Sequence, residues 1–369
     1  SGNDLFACWE RHPTINIPVE KYGATIEENV FLESQGDAVS LHGDANVIIG
    51  NRFDGANGSA VHLSATIHPI VNYNTIVGTN SRYQEVGHAE SVITWSNEIT
   101  DAELVGNCIR DAPVGAFGHM KTYNQSRGVV IEDNQVCQTV GLFTGLGADG
   151  PMDIVIRNNL GVDVGATVIE GDDDARISGV TIEGNVIHNG YFDLRWVEDV
   201  HIADNWIEMR DPLVHGDEVG GFGNQAGPVT VRYGHDVVIE DNIIVGGEKG
   251  MFIDGGEDNA SVELRRNTIV GQTRESLVIG NTGYMNQPDH RLADNSGVYA
   301  ESLMVWSDVL DAGSTLVTIG RGATVLQSCF EGSAHTVYIF GSDEADGTSL
   351  SQFSGNIVGG LDPWVVPVE

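Results

Sequence analysis

The segment Val237-Val238-Ile239-Glu240-Asp241-Asn242-Ile243-Ile244-Val245 decides the fold, because variants of it recur along the chain. In most copies an aliphatic or Phe residue lies three positions before the Asn, and another lies two positions after it. Clear copies centre on Asn29, Asn51, Asn74, Asn107, Asn134, Asn159, Asn185, Asn205 and Asn267. Looser copies centre on Asn295, Ser328 and Asn356. Self-similarity at intervals of this size is typical of solenoids, propellers and arrays.

The interval between copies selects among these architectures. Asn51 follows Asn29 by 22 residues, and Asn205 follows Asn185 by only 20. Such an interval holds about three short strands with their turns, which leaves no room for a four-stranded propeller blade. The repeats lack a helical stripe, and their Val, Ile, Thr and Gly residues favour strands and tight corners. The sequence therefore predicts an all-β fold, a parallel β-helix (solenoid) formed by one chain with about 12 or 13 rungs.

The recurring Asn is predicted to form the corner of each rung. A corner needs a left-handed backbone, which Asn tolerates better than other residues except Gly. Because stacked rungs lie about 4.8 Å apart, we expect the corner amides to form a hydrogen-bonded ladder.

Three segments are expected along the chain. Residues 1–25 form an N-terminal cap or an incomplete rung, residues 26–296 form the regular coil, and residues 297–369 form closing rungs and a C-terminal cap. The 206–236 interval holds an insertion of the kind that shapes binding sites in repeat proteins. The four cysteines match no metal-binding pattern, their ladder columns differ, and most are predicted to be small buried residues.

The charge balance limits the partners. The net charge is −35, with 53 acidic and 18 basic residues, of which only Lys21, Lys121 and Lys249 are lysines. This balance favours a surface adapted to high salt, or an acidic secreted protein, and it disfavours nucleic acid as a partner. No apolar run has the length of a membrane span. We expect a protein that is secreted or exposed on a cell or virion surface, in a high-salt environment.

A column of polar residues is predicted on one outer face. The strand after each corner alternates, so that its second and fourth residues point outward. The fourth positions hold His42, Ser64, His119, Glu170, Arg195, Arg232 and Asp254, and Asp193 stands in the neighbouring outward column. A solvated face with ordinary salt bridges is the alternative interpretation of this column.

Carboxylates and guanidinium groups in one line suit an extended anionic sugar chain. Arginines bind carboxylates or sulfates, and neutralising a uronate allows a nearby base to abstract the adjacent proton. Hydrolysis would instead need two carboxylates, here Glu170 with Asp193 or Asp254.

Further candidates lie beside this column. His119, Lys121 and Tyr123 are acid–base residue types that lie close together, and His215 lies in the insertion. The predicted substrate-binding residues are His42, Lys121, Tyr123, His215 and Lys249. Asp172, Asp173 and Asp174 form an oxygen-rich turn, which is either a Ca²⁺ site or a solvated turn.

With its Asn-corner repeat over residues 26–296, the chain resembles the right-handed parallel β-helix proteins of the pectate-lyase superfamily. Residues 29–43 are similar to the strand that carries a catalytic Arg in alginate-lyase-like and chondroitinase-B-like enzymes, and His42 stands at the position of that Arg. The resemblance implies a carbohydrate-active protein, since members include lyases, hydrolases, epimerases and viral tailspikes.

The leading hypothesis is a lyase that cleaves an acidic polysaccharide by β-elimination. Arg195 and Arg232 would neutralise the uronate, and Glu170 or His119 would transfer the proton. One alternative is a glycoside hydrolase that uses Glu170, Asp193 and Asp254. Another is a non-catalytic tailspike or adhesion protein that binds a cell-surface glycan, as a monomer or a homotrimer.

Overall fold

The computed structural model is all-β in the residues that it describes. These are 4–6, 15–18, 22–34, 36–79, 91–119, 126–146, 151–171, 176–210, 227–254, 261–279, 297–307, 309, 316–319, 323–332, 337–340, 352–354, 356–359 and 364–366. Within them no helix occurs, and the strand pairings are parallel. The prediction of an all-β fold with parallel strands is confirmed, and the pairing is compatible with a parallel β-helix.

The chain divides into two compact units, residues Ser1–Gly190 and Tyr191–Glu369. The strands of the first unit are β1 (Asp4–Phe6), β2 (Ile15–Ile17), β3 (Thr25–Glu27), β4 (Val30–Leu32), β5 (Val39–Asp44), β6 (Val47–Ile49), β7 (Arg52–Asp54), β8 (Val61–Ile67), β9 (Ile70–Asn72), β10 (Thr75–Val77), β11 (Ile93–Thr100), β12 (Glu103–Val105), β13 (Cys108–Arg110), β14 (Gly115–His119), β15 (Val129–Glu132), β16 (Gln135–Cys137), β17 (Gly141–Leu146), β18 (Pro151–Arg157), β19 (Leu160–Glu170) and β20 (Ile177–Glu183).

The next strand, β21 (Val186–Ala203), begins in the first unit and ends in the second. The remaining strands of the second unit are β22 (Trp206–Met209), β23 (Val229–Glu240), β24 (Ile243–Gly246), β25 (Lys249–Asp254), β26 (Val262–Arg265), β27 (Thr268–Val270), β28 (Glu275–Ile279), β29 (Val298–Glu301), β30 (Met304–Ser307), β31 (Val317–Ile319), β32 (Thr324–Leu326), β33 (Cys329–Gly332), β34 (Val337–Phe340), β35 (Gln352–Ser354), β36 (Ile357–Gly359) and β37 (Trp364–Val366).

Each strand pairs with the strand at the equivalent position of the next repeat, and not with the strand that follows it in sequence. In the first unit β4 pairs with β7 and β7 pairs with β10, so that Phe31 lies beside Phe53 and Phe53 lies beside Ile76. All three side chains are buried, and the rings of Phe31 and Phe53 stack with centroids 4.7 Å apart. Each strand thus adds its apolar residue to a continuous inner column, which a single repeat has no means of burying alone.

The corner asparagines form the predicted ladder. The backbone N–H of Asn107 donates to Oδ1 of Asn134 at 2.8 Å, and the Asn107 side-chain amide donates to the same oxygen at 3.1 Å. Asn134 in turn donates to Asn159 at 2.9 Å. In the second unit the same contacts join Asn205, Asn242 and Asn267. These amides are buried and mutually satisfied, as buried polar groups must be.

The predicted corner conformation is wrong by one residue. The left-handed residue is the one before the Asn, for example Glu28, Tyr73 and Arg266, with φ of 53°, 58° and 52°. The turning residue sends its own side chain toward solvent, as the 62% exposure of Tyr73 shows. This turn places the side-chain amide of the following Asn in the buried position where the ladder forms.

Two further corners differ from the prediction. The corner between Asn267 and Ser328 is occupied by buried Leu303, whose N–H donates to the Ser328 hydroxyl at 3.0 Å. Asn295, which was expected at this corner, lies outside the described residues. Asn46 was not expected, yet it accepts the N–H of Ala24 at 3.0 Å in a second column.

The described cysteines are free and only partly buried. Cys108 pairs with Gln135, whereas Cys137 pairs with Arg110, so the two thiols lie in different columns as predicted. Cys108, Cys137 and Cys329 are half-exposed, so the prediction of buried cysteines is wrong for these three. Each lies at an end position of a three- or four-residue strand or beside a corner, where the chain leaves the core.

Candidate functional site

A cluster of charged residues lies on β21 and its partners within the second unit. Phe192 and Leu194 point into the core. Asp193 lies between them in sequence, and Arg195 follows Leu194. Both charged residues are nonetheless buried, with exposed fractions of 2% and 6%. Two ionisable side chains buried on the outer side of a strand are unusual, because charged groups there normally remain solvated.

Asp193 and Arg195 form a two-pronged ion pair. The Arg195 Nε donates to Oδ1 of Asp193 at 3.1 Å, and Nη2 donates to Oδ2. This geometry matches the planar fork of the guanidinium to both carboxylate oxygens. Removing either partner would strand a buried charge, which costs several kcal/mol in proteins (about 3–5).

Arg232 lies beside Arg195 on the neighbouring strand. The register of β21 with β23 pairs these two arginines, and the register of β23 with β25 pairs Arg232 with Asp254. Like charges in directly opposed positions repel each other. The Arg232 guanidinium also lies over the Phe252 ring, 5.8 Å from its centroid. The cluster thus places two guanidinium groups side by side, in a chain whose net charge is −35.

Tyr191 belongs to the same cluster and was missed in the sequence. Its side chain is 4% exposed. Burial, and secondly the charge of Asp193, raise the pKa of Tyr191 to about 12, while Arg195 and Arg232 act in the opposite direction. The phenol therefore stays protonated near neutral pH and keeps a proton that it can donate. The available signal was the spacing of Tyr191, Asp193 and Arg195 at alternate positions.

Lys249, which was predicted to bind substrate, lies in an ion pair. It is 9% exposed, and its Nζ is 3.5 Å from Oε2 of Glu275 on the adjacent strand β28. The charge of Lys249 is therefore balanced within the fold.

The other predicted column members lie in the first unit. Glu170 ends β19 beside Leu146 and is partly exposed. His119 pairs with Trp95, which pairs with Leu63, so His119 stands in the column of two buried residues and not in that of Ser64. The predicted alignment of His119 is wrong by one residue, because Phe117, and not Ala116, is the residue of β14 that aligns with Val61.

His42 is half-buried at the end of β5. Burial, and secondly the charge of His62, lower the pKa of His42, so the imidazole is neutral near pH 7. Its Nε2 lies 3.5 Å from the Ser40 hydroxyl.

The remaining predicted site residues are not described. Lys121, Tyr123, His215, Asp172, Asp173 and Asp174 lie outside the described residues, as do the side chains of His119 and Asp254. In the part of the chain that is described, His, Cys, Asp and Glu side chains form no group of three or more that would hold a metal ion. The same part contains no helix with the length and apolar character that a membrane crossing requires.

Comparison with protein-family models and with curated proteins finds no match to this chain.

Proposed function

We propose that this protein is a lyase that cleaves an acidic polysaccharide by β-elimination, on a right-handed parallel β-helix like those of the pectate-lyase superfamily. The β-helix is supported by parallel pairing at intervals of one repeat and by the asparagine ladders. The observation that supports the activity is the pairing of Arg195 with Arg232 beside a single buried carboxylate. Two guanidinium groups side by side in so acidic a chain suit a polyanionic ligand.

Arg232 has the central role in this proposal. The residue as a whole is partly exposed although its Nε is buried, and its guanidinium would receive the uronate carboxylate of the substrate. Neutralising that carboxylate stabilises the carbanion that forms when the adjacent C5 proton is removed. Arg195, held by Asp193, contributes positive potential and fixes the local geometry.

Proton transfers are assigned to Asp254 and Tyr191. Asp254 pairs in register with Arg232 and would accept the C5 proton. The C4–O4 bond then breaks as the C4=C5 double bond forms, and the neutral phenol of Tyr191 donates a proton to the departing O4. A hydrolase is less well supported, because both oxygens of Asp193 already accept hydrogen bonds from Arg195.

The test is incubation with alginate, pectate, chondroitin and a neutral glycan at high salt, with and without Ca²⁺. A lyase raises both the ultraviolet absorbance of unsaturated uronic ends and the number of reducing ends. R232Q should lower the rate by about 100-fold, the usual effect of removing one transition-state donor. R266Q, at an arginine that pairs with Asp241 elsewhere in the same unit, is the matched control and should retain the rate.

The other outcomes would each point elsewhere. Reducing ends without ultraviolet absorbance would indicate a hydrolase. Binding of a glycan without any product would indicate a tailspike or adhesion protein. An R232Q variant that cleaves at the wild-type rate would remove the cluster from the mechanism.

A further inference from the structure

Three side chains of the first unit are arranged in a line that the proposed lyase does not use. His62 Nε2 lies 2.8 Å from the hydroxyl oxygen of Ser96. Its other ring nitrogen, Nδ1, lies 3.3 Å from Oδ2 of Asp37. A hydroxyl, an imidazole and a carboxylate in this order are the components of a serine nucleophile, its general base and the group that orients the base.

Strand register brings these residues together from distant parts of the sequence. Asp37 precedes β5, His62 lies on β8 and Ser96 lies on β11. The pairs β5–β8 and β8–β11 are adjacent, so the three residues meet on one face of three neighbouring strands.

Asp37 is itself held in place. Its Oδ1 accepts the backbone N–H of Ser59 at 2.9 Å, which leaves Oδ2 for His62. A Cβ atom at Gly58 would come within 2.6 Å of Oδ1, so glycine at this position gives the carboxylate its room. The side chains of His62 and Asp37 are 23% and 24% exposed, so the imidazole is accessible to a ligand while it remains oriented.

Ser96 stands where the strand departs from regular geometry. The register between β8 and β11 shifts between Ser96 and Ile99, and Asn97 has a left-handed φ of 65°. The Asn97 side-chain amide donates to the Ser64 hydroxyl at 2.8 Å, and Ser64 pairs with Ser96. One hydrogen of the Asn97 amide is thus bonded to Ser64, and its second N–H would serve as the oxyanion donor of an acyl-transfer reaction.

A second histidine in the same unit, His68, has the contacts of an ordinary ion pair, and they differ from those of His62. His68 contacts Asp44 through Nδ1 at 3.1 Å and Asp101 through Nε2 at 3.2 Å. Both ring nitrogens of His68 thus face carboxylates, and neither faces a hydroxyl. His62 has a carboxylate on one nitrogen only, and a hydroxyl on the other.

We propose that Ser96, His62 and Asp37 form a catalytic triad that hydrolyses carboxylic esters. As the Ser96 Oγ bonds to the ester carbonyl carbon, its proton passes to His62 Nε2. The carbonyl–alkoxy bond then breaks, and His62 returns that proton to the departing alcohol. Water attacks the acyl-serine with His62 as base, which releases the carboxylic acid and restores the Ser96 hydroxyl.

The surroundings of Ser96 favour a short acyl group. Ser64 is the outward residue beside Ser96 on β8, and Ser40 and His42 lie on β5, one strand further away. These side chains are small or polar and offer little apolar surface to a long acyl chain. Acetyl esters, for example of sugar hydroxyls, are the substrate class that this site fits.

The experiment uses the full chain in high salt, with a fluorophosphonate probe and with p-nitrophenyl acetate. The wild type should be labelled at Ser96, as located by peptide mass spectrometry, and should release p-nitrophenol. S96A should lose both signals, and H62A should lower both rates by about 100-fold or more, the usual range for a general base. D37N should lower them less than H62A does.

Matched controls separate this triad from general reactivity. H68A replaces the ion-paired histidine, and S178A replaces another half-buried strand serine of the first unit, so both should behave as wild type. R232Q should also label normally, so failure of the lyase proposal would leave this one intact. Circular dichroism identifies variants that fail to fold. An unlabelled wild type, or an S96A variant labelled at the wild-type rate, would overturn the triad.

Discussion

Asn134 shows what one corner side chain contributes to the fold. Its Oδ1 accepts two hydrogen bonds from Asn107, and its amide nitrogen donates to the carbonyl of Leu104 at 2.8 Å and to Asn159 at 2.9 Å. The residue is 1% exposed, so water has no access to replace these partners. A buried polar group that loses its partner costs more than the net value of the bond.

We expect N134A to lower the free energy of unfolding by about 3 kcal/mol, because it leaves two donors of Asn107 without an acceptor. N134S should cost less, since the Ser328 hydroxyl already accepts an N–H at a corner of this chain. Urea unfolding measures both. Q135A, at the exposed neighbour, is the control and should change stability by no more than about 0.5 kcal/mol. Equal losses for N134A and Q135A would contradict a structural role for the ladder.

The sequence predicts the ladder but not the residue that turns the chain. The Asn is visible because its amide chemistry is needed at every corner. At seven of the ten clear corners the left-handed residue before the Asn is Gly, Asp or Asn, for example Gly50 and Asp133, and these types adopt a positive φ most readily. At the other three corners it is Glu28, Tyr73 or Arg266, where the stacked strands on either side impose the conformation and residue type gives no signal.

At the level of the strand, two Asp–Arg ion pairs with the same spacing differ in how much they stabilise the fold, because one is buried and the other is exposed. Arg195 and Asp193 are two residues apart on β21 and buried. Arg52 and Asp54 have the same spacing on β7, with a contact of 2.9 Å, but their side chains are 52% and 41% exposed. The exposed pair is screened by solvent, whereas the buried pair is not.

D193N should therefore lower the free energy of unfolding by about 3–5 kcal/mol, since it leaves the Arg195 charge buried with a weaker partner. D54N should change it by less than about 0.5 kcal/mol. Replacing both members, as in D193L/R195M, should cost less than D193N alone. Chemical unfolding of these three variants and the wild type gives the comparison, and a double variant that loses at least as much stability as D193N would contradict the coupling of the pair.

A network of four residues at the edge of β23 predicts a dependence on pH. Hydrogen bonds from Arg266 lower the pKa of both Asp241 and Glu240, and His201 adds to the effect on Glu240. Carboxyl groups with a lowered pKa stabilise the fold above their ordinary pKa of about 4, and this contribution is lost as the pH falls through the folded-state value.

The variant R266Q should accordingly melt at a lower temperature than wild type at pH 7, and the difference should shrink below about pH 4. Thermal unfolding at pH 7, 5 and 3 measures this trend. R52Q is a suitable control, because the Arg52–Asp54 pair is exposed and screened by solvent. A difference between R266Q and wild type that stays constant from pH 7 to pH 3 would contradict the assignment.

Register explains which parts of the candidate sites were visible in the sequence. Arg195, Arg232 and Asp254 were predicted to share a column, because each ends a similar four-residue phrase, and the pairing confirms this. The contacts of Asp37 with His62 and of His62 with Ser96 were not predicted. They depend on the turn before β5 and on the strand irregularity after Ser96, and neither follows from the repeat.

At the scale of the whole molecule, charge dominates. The excess of acidic over basic residues gives a net charge of −35, which destabilises any compact state through repulsion among its carboxylates. Salt screens this repulsion, because the Debye length falls from about 30 Å at 0.01 M to about 10 Å at 0.1 M and 3 Å at 1 M.

We therefore expect the melting temperature to rise with NaCl concentration, most steeply below about 0.3 M, where the Debye length shortens fastest. Calorimetry from low salt to about 2 M measures the curve, and a further rise with sodium sulfate beyond that range would report preferential exclusion and not screening. Lowering the pH toward the sequence pI of 4.4 at low salt should reproduce part of the gain, because it also removes net charge. A melting temperature that is flat or falls between low salt and 0.3 M would show that the acidic surface does not limit stability and would remove the physical basis for placing this protein in a high-salt environment.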